Sequence, residues 1–283
     1  MTKKNPKVIA CVIVRLNSIR LPRKALADLA GKPMLLQLID RLKTAHSVTQ
    51  IVVCTSNLPE DAPLLELAKD WGVEAFAGHE LDVLSRLIAV ADSMDADAVL
   101  RITGDNPFTD AENIDRMVEH HFAKSAEYTR TNRLPLGVTA EVMSPAMMRK
   151  LHNVMPDPNQ SEYMSFFSFN PRLFRCEVLY PPPELDRPYY SLTIDYPKDL
   201  EVASSIYRKL ANKSGIPSIH DVVKLMDGDR DFNEVSPNFP IKKPGGETIT
   251  YEALIAELDA LALMSLQGEE SQPVQSTAHR TTY

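Results

Sequence analysis

With 283 residues, 44% of them hydrophobic and 24% charged, the chain has the make-up of one large α/β domain, or one domain with a smaller appendage, and can form a core without disulfide staples. A formal net charge of −7 excludes a nonspecific grip on nucleic acid, which needs a basic face to displace phosphate counterions. Three cysteines lacking CxxC spacing predict reduced, packed thiols, and no apolar run has the length of a membrane span, so the expected location is the cytoplasm.

The run VIACVIV at 8–14 is short, continuous and β-branched, as expected of a strand covered on both faces of a parallel sheet. Pro33 then opens a helical pattern carried by Leu35, Leu36, Leu38, Ile39 and Leu42. Strands are predicted at 51–54, 73–76 and 98–102, and helices at 61–71 and 81–94. Asp110 reads as the cap of a further helix ending near Ala123. This alternation predicts right-handed βαβ units in a doubly wound, mostly parallel sheet, with ligands at the carboxyl ends of the strands.

The second half is less regular. A short strand is predicted at 141–143 and a helix at 144–153, followed by a helical stretch at 162–169 stopped by Pro171. Residues 173–180 and 189–194 read as strands around the turn Pro181-Pro182-Pro183. Pro197 begins a helix reaching Leu210, a helical stretch follows Ser218, and a last helix runs over 251–266. The expected division is a nucleotidyltransferase domain over 1–210, a helical extension over 211–266, and a disordered tail over 267–283.

Chemistry belongs in the loops after Val14, Cys54 and Ile102. Arg15, Arg20, Arg23 and Lys24 put four cations within ten residues after the first strand. Arginine forks and a lysine point charge suit a triphosphate. A solvated basic loop is the competing reading, and the strand-end position favours phosphate. The Walker pattern GxxxxGK[ST] is absent. Asp105, after Gly104, sits where a carboxylate can hold magnesium against phosphate oxygens. Asp195 is a second strand-end carboxylate, or equally the N-cap of the following helix. The seven histidines show no zinc spacing, and no GxSxG elbow occurs.

The pattern VRLNSIRLPRKALADLAGKPML at 14–35 resembles the signature of the CMP-sugar synthetases, closest to the branch of spore-coat polysaccharide synthesis cytidylyltransferases. The resemblance continues in order through VVCTSNLPED (52–61), DVLSR (82–86), LRITGDNP (100–107), AEV (140–142) and LTIDYPKDLE (192–201). It implies a Rossmann-like fold of the nucleotide-diphospho-sugar transferase type, with a small dimerisation and acceptor subregion. It further implies Mg²⁺-dependent transfer of CMP from CTP to an acidic sugar or sugar-phosphate-like acceptor, for surface polysaccharide or glycoconjugate synthesis, by a homodimer. Carried over by position, Arg15, Ser18, Arg20 and Lys24 match the triphosphate loop. Thr55 and Ser56 fall where the second strand end approaches cytosine, and Arg86 matches a pocket arginine. Asp105 and Asp195 correspond to the magnesium carboxylates, and Arg15, Lys24, Asp105 and Asp195 form the expected catalytic set. Glu141 lies in the segment that nears the acceptor and the dimer contact.

Two departures stand out: Asn17 and Arg23 occupy positions where branch members carry glycine, and residues 136–140 read Leu-Gly-Val-Thr-Ala instead of an acidic run. The altered loop at Asn17 and Arg23 supports one alternative, a catalytically silent nucleotide binder; a second is a nucleotidyltransferase using another nucleotide or a phosphorylated polyol acceptor. A glycosyltransferase is the third, lacking its usual Asp-x-Asp near Asp105.

Overall fold

The computed structural model describes residues 6–210, 216–229, 232 and 234–267; the expected tail at 268–283 lies outside the described residues. The central sheet has seven strands: β1 (Val8–Ile13), β2 (Gln50–Ser56), β3 (Glu74–Gly78), β4 (Ala98–Thr103), β5 (Tyr128–Thr131), β6 (Glu141–Met143) and β7 (Cys176–Leu179), in the order β3-β2-β1-β4-β6-β5-β7. All neighbours are parallel except β6, which runs antiparallel to both β4 and β5. The expected α/β, mostly parallel, doubly wound architecture is therefore observed.

Among the described residues, eight helices of two turns or more and one shorter piece surround the sheet. They are α1 (Met34–Leu42), α2 (Pro63–Asp70), α3 (Val83–Ser93), α4 (Ala111–Ala123), α5 (Pro145–Val154), the short α6 (Ser165–Ser168), α7 (Pro197–Leu210), α8 (Ile219–Asp227) and α9 (Tyr251–Leu266). Every residue from Val8 to Val12 is fully buried, because the two faces of β1 enter separate cores. Val8, Ala10 and Val12 pack against α1, α2 and α4, whereas Ile9 and Cys11 pack against α3 and α5. The period of two along a strand makes this split obligatory. A third cluster joins α7 and α8 to Leu29, Met34, Phe108 and Val138. The N-cap expected at Asp110 is present, accepting from the Asn113 amide, and Ser144 caps α5 in the same way, accepting from the Met147 amide.

Several elements differ from the sequence expectation, among them short hairpins pairing Pro240–Lys242 with Thr248–Thr250 and Asp28–Leu29 with Lys32–Pro33. Residues 189–194 make only isolated bridges, Leu136 to Ser191 and Tyr190 to Glu234. The partner segment contains Pro135, which has no amide to donate, and turns away at Gly137 (φ 90°), so no ladder extends. The helix expected at 162–169 is broken into a 3₁₀ turn, Pro158–Tyr163, and α6. Strand β5 is not apparent from hydrophobic pattern because its residues facing α4 are threonines, although Tyr128 is buried on the other face. Thr129 Oγ1 bonds His121 Nδ1 at 2.9 Å, and Thr131 Oγ1 donates to Asn113 Oδ1 at 2.9 Å, so α4 satisfies both hydroxyls.

Burial, with smaller contributions from Arg175 and His120, pushes the His121 imidazole down to about 4. In the unfolded chain it takes up a proton near its ordinary value of 6.5. Its contribution to stability is therefore complete above the unfolded value and is lost as pH falls toward the folded one. Urea unfolding from neutral to acid pH should reveal a loss on the order of 3 kcal/mol from this residue. The His121→Gln protein should lack that portion of the slope, and an identical slope in both proteins would reject the assignment.

Candidate active site

The sheet order reverses at β1: the chain steps outward to β2 and β3, then returns through α3 to β4 on β1's other side. The loops leaving β1 and β4 consequently diverge and leave a crevice at the switch point. There a cleft of about 290 Å³ is lined by residues including Arg15, Asn17, Ser18, Arg20, Lys24, Arg86, Arg101 and Asp105. Close approach of the two loops needs a glycine. Gly104 N–H donates to Ile13 O at 2.8 Å, and a Cβ on Gly104 would lie 2.8 Å from Val14 Cβ.

Lys24 is the centre of the charge arrangement. Its Nζ donates to Asp105 Oδ2 at 2.8 Å, to Asp195 Oδ1 at 2.9 Å and to the Ile194 carbonyl at 3.1 Å. Arg20 Nη2 donates to the same Asp195 oxygen at 2.6 Å. Two carboxylates far apart in sequence thus converge on one ammonium. Burial alone would lower the Lys24 pKa, but Asp105 and then Asp195 outweigh it and hold the value above the ordinary one. Asp195 therefore turns its carboxylate to the basic loop, while Asp199 in the first turn of α7 accepts from the amides of Asp195 and Tyr196.

Asp195 is carried on an extended segment held from two sides. Ile194 N–H donates to Asp105 O at 2.9 Å, joining the two acidic loops directly. Leu192 N–H donates to Leu136 O at 2.8 Å. A Cβ on Gly137 would approach Thr193 N to 2.6 Å, so the glycine lets the 134–139 loop lie against the Asp195 segment.

The basic loop is braced from β2. Asp61, fully buried, accepts from Leu16 N–H at 2.7 Å through Oδ1, and Ser56 donates a short hydrogen bond to its Oδ2. Thr55 and Ser56 are buried and do not line the cleft; Thr55 Oγ1 has no hydrogen-bond partner. Arg15 Nη1 donates to Glu80 Oε1 at 3.2 Å. Arg86 is buried at the cleft, with Nη1 donating to Cys54 O at 3.4 Å and Nε unpartnered. Burial draws its pKa below the ordinary guanidinium value, with Cys54 opposing and Arg15 adding to the effect.

Glu141 is nearly inaccessible and anchors the far wall. Arg101 Nη1 donates to its Oε2 at 2.6 Å, Ser165 Oγ donates to the same oxygen at 3.1 Å, and Tyr128 O–H donates a short bond to Oε1. Burial would raise the Glu141 pKa, but Arg101, Arg130 and the Tyr128 hydroxyl hold it below the usual value. Sequence reasoning missed Asp61, Arg101 and Ser165 as site residues. A carboxylate two residues after a proline, or an arginine within an apolar strand, reveals its role only once its partners are known.

Strand-end cations facing paired carboxylates across a switch-point cleft are the equipment of a nucleotide-handling α/β protein. A family model described as "Cytidylyltransferase" matches residues 9–180, and the chain belongs to that family of nucleotidyltransferases. It is 28% identical over 230 residues to the spore coat polysaccharide biosynthesis protein SpsF of Bacillus subtilis (strain 168), covering 79% of this chain and 95% of the relative. It is 29% identical over 171 residues to a 3-deoxy-manno-octulosonate cytidylyltransferase of Trichlorobacter lovleyi, covering 59% of this chain and 64% of that protein. Among solved structures, a cytidylyltransferase from Leptospira borgpetersenii superposes with a TM-score of 0.73 at 23% identity, covering 82% of this chain and 98% of that one, which shows the shared fold.

The departure at position 23 now has a physical account. Arg23 adopts φ 55°, the left-handed conformation that glycine occupies freely, and its side chain is exposed and does not line the cleft. Asn17 is not among the residues with positive φ. Arg23→Gly should raise stability by about 0.5–1 kcal/mol in urea titrations. Asp61→Ala should lower it by about 1–3 kcal/mol, because it strands the Leu16 amide and the Ser56 hydroxyl; an unchanged midpoint would show that Asp61 does not brace the loop.

Proposed function

We propose that this chain transfers CMP from CTP to an acidic, sugar-like acceptor and releases pyrophosphate, in the synthesis of a surface polysaccharide or glycoconjugate. The observation that carries this reading is the convergence of Asp105 and Asp195 on Lys24, beside Arg20 at the mouth of the switch-point cleft. Arg15, Ser18, Arg20 and Lys24 line or flank that cleft and would take the triphosphate, exchanging carboxylate contacts for phosphate oxygens. Family membership supports cytidine as the base, and the names of the two relatives support a carbohydrate product.

The donor set fits Mg²⁺. Asp105 and Asp195 offer hard carboxylate oxygens, and no cluster of three or more His, Cys, Asp or Glu suited to a metal occurs among the described residues. A two-carboxylate site of this kind leaves coordination positions to phosphate and water. When bound, Mg²⁺ supplies neutralisation of phosphate charge. The chain's own groups do the rest: the loop cations fix the triphosphate, and the cleft orients the α-phosphorus for in-line attack by an acceptor oxygen. Positioning and charge neutralisation then account for catalysis without a covalent intermediate.

In this reading residues 1–210 form the transferase unit and 211–266 an extension, and the enzyme works as a cytoplasmic homodimer. Three buried, unbridged cysteines are in keeping with a reducing compartment. No helix among the described residues is long and apolar enough to cross a membrane.

Pyrophosphate release should be measured with Mg²⁺, each of the four nucleoside triphosphates, and a panel of sugar acids and sugar phosphates. Release with CTP alone, dependent on one acceptor, is expected. Asp105→Asn should lower kcat about 100-fold or more while leaving the melting temperature nearly unchanged. Wild-type turnover in that variant would remove Asp105 from the mechanism.

A further inference from the structure

We propose that Lys24 is an internal stand-in for the divalent cation: its ammonium and the metal compete for one cage of oxygens built by Asp105, Asp195 and the Ile194 carbonyl. This rests on the transferase reading given above and adds to it a gate on metal entry, since the cage opens only when Lys24 leaves it.

An ammonium has three N–H groups, and Lys24 meets three oxygen acceptors. They are Asp105 Oδ2 at 2.8 Å, Asp195 Oδ1 at 2.9 Å and Ile194 O at 3.1 Å. Two carboxylates and a backbone carbonyl are also the donors that a hard divalent cation selects. The other cleft cations are bound differently: Arg20 and Arg101 each pair with a single carboxylate, whereas Lys24 bridges two. Its side chain is only 15% exposed, so water screens the bridge poorly.

The cage is assembled by bonds that do not involve the lysine. Ile194 N–H donates to Asp105 O at 2.9 Å, and Asp199 Oδ2 accepts from Asp195 N–H at 2.9 Å. Gly104 N–H ties the start of the Asp105 loop to Ile13 O. Asp105 and Asp195 therefore stay close when the ammonium departs, and their mutual repulsion then calls for another cation. Lys24 itself is free to change partners without disturbing the strand ends. Its backbone is fixed by its N–H to Leu21 O and by Ala27 N–H to its own carbonyl, while the four-carbon stem can swing the charge. Phosphate oxygens held near Arg20 and Ser18 in the cleft offer the ammonium an equivalent place to go. A site closed for more than nine-tenths of the time binds its ligand about tenfold or more weakly than the same site held open.

The test titrates Mn²⁺ into the protein without nucleotide and follows the electron paramagnetic resonance signal of the free ion. Lys24→Met should bind Mn²⁺ about tenfold or more tightly than the wild type. Arg20→Met removes the same charge but leaves the bridge, and its affinity should stay within about threefold of the wild type. Adding Asp105→Asn to Lys24→Met should abolish the gain, which places the ion in the cage. Melting temperatures check that each protein is folded, and Lys24→Gln replaces Lys24→Met where repulsion between the aspartates unfolds the latter. Equal Mn²⁺ affinity in the wild type and the Lys24 variant overturns the proposal. An equal gain in Arg20→Met overturns it too, because net charge then explains the effect. CTP binding is measured separately by calorimetry with Mg²⁺: a wild-type protein that fails to bind CTP loses the transferase reading, while the Mn²⁺ comparison still decides the role of Lys24.

Discussion

Lys24 holds two aspartates that would otherwise repel each other across a partly desolvated cleft. Asp105 and Asp195 share its ammonium, and Arg20 adds a second cation to Asp195. Removing the cations would leave two like charges at close quarters, which favours protonation of one of them. Much of the surrounding structure exists to bring these groups within reach of one another. Lys24 comes from a loop braced through Asp61, Asp105 from a loop seated by Gly104, and Asp195 from a segment that bonds Asp105's own carbonyl. The same arrangement leaves the cations poised for an incoming polyanion. Phosphate oxygens offer Lys24 and Arg20 contacts equivalent to those they make with carboxylates. Lys24 and Arg20 thus balance Asp105 and Asp195 in formal charge within this group of four.

How much of this was legible depends on whether a residue's role is local. Strands β1, β2 and β4 announce themselves because both faces are covered and nearly every side chain is apolar. The strand-end rule then locates the cleft, and Arg15, Ser18, Arg20, Lys24, Arg86 and Asp105 gather there. Strand β5 could not be read the same way, since Thr129 and Thr131 look polar until His121 and Asn113 are placed beside them. Residues 189–194 erred in the opposite direction. They carry a strand-like pattern, but pairing is decided by the partner, and Pro135 and Gly137 deny them a ladder.

The wall anchored by Glu141 shows why the second half resists sequence reading. Arg101 sits on a core strand, Glu141 on a short antiparallel one, Tyr128 on β5 and Ser165 on α6, and each is intelligible only through the others. Desolvating an ion pair is costly, and the gain returns only when the remaining lone pairs are met. Here Glu141 receives Arg101, Ser165 and Tyr128, so its charge is kept without an orphaned oxygen. An apolar wall could pack as well, but it could not hold a fixed guanidinium beside the cleft.

The two sides of the cleft are built from different material, and that difference bears on function. The nucleotide side rests on the ends of paired strands, whose positions are set by ladder hydrogen bonds and by two buried cores. Beyond the layer formed by Arg101, Glu141 and Ser165, the lining comes from the 134–139 loop, α6 and α9, where loop chemistry and side-chain packing set the geometry. Rigid strand ends suit a reaction centre that must hold a phosphorus atom in line. Loops and an added helix can change shape without disturbing that centre.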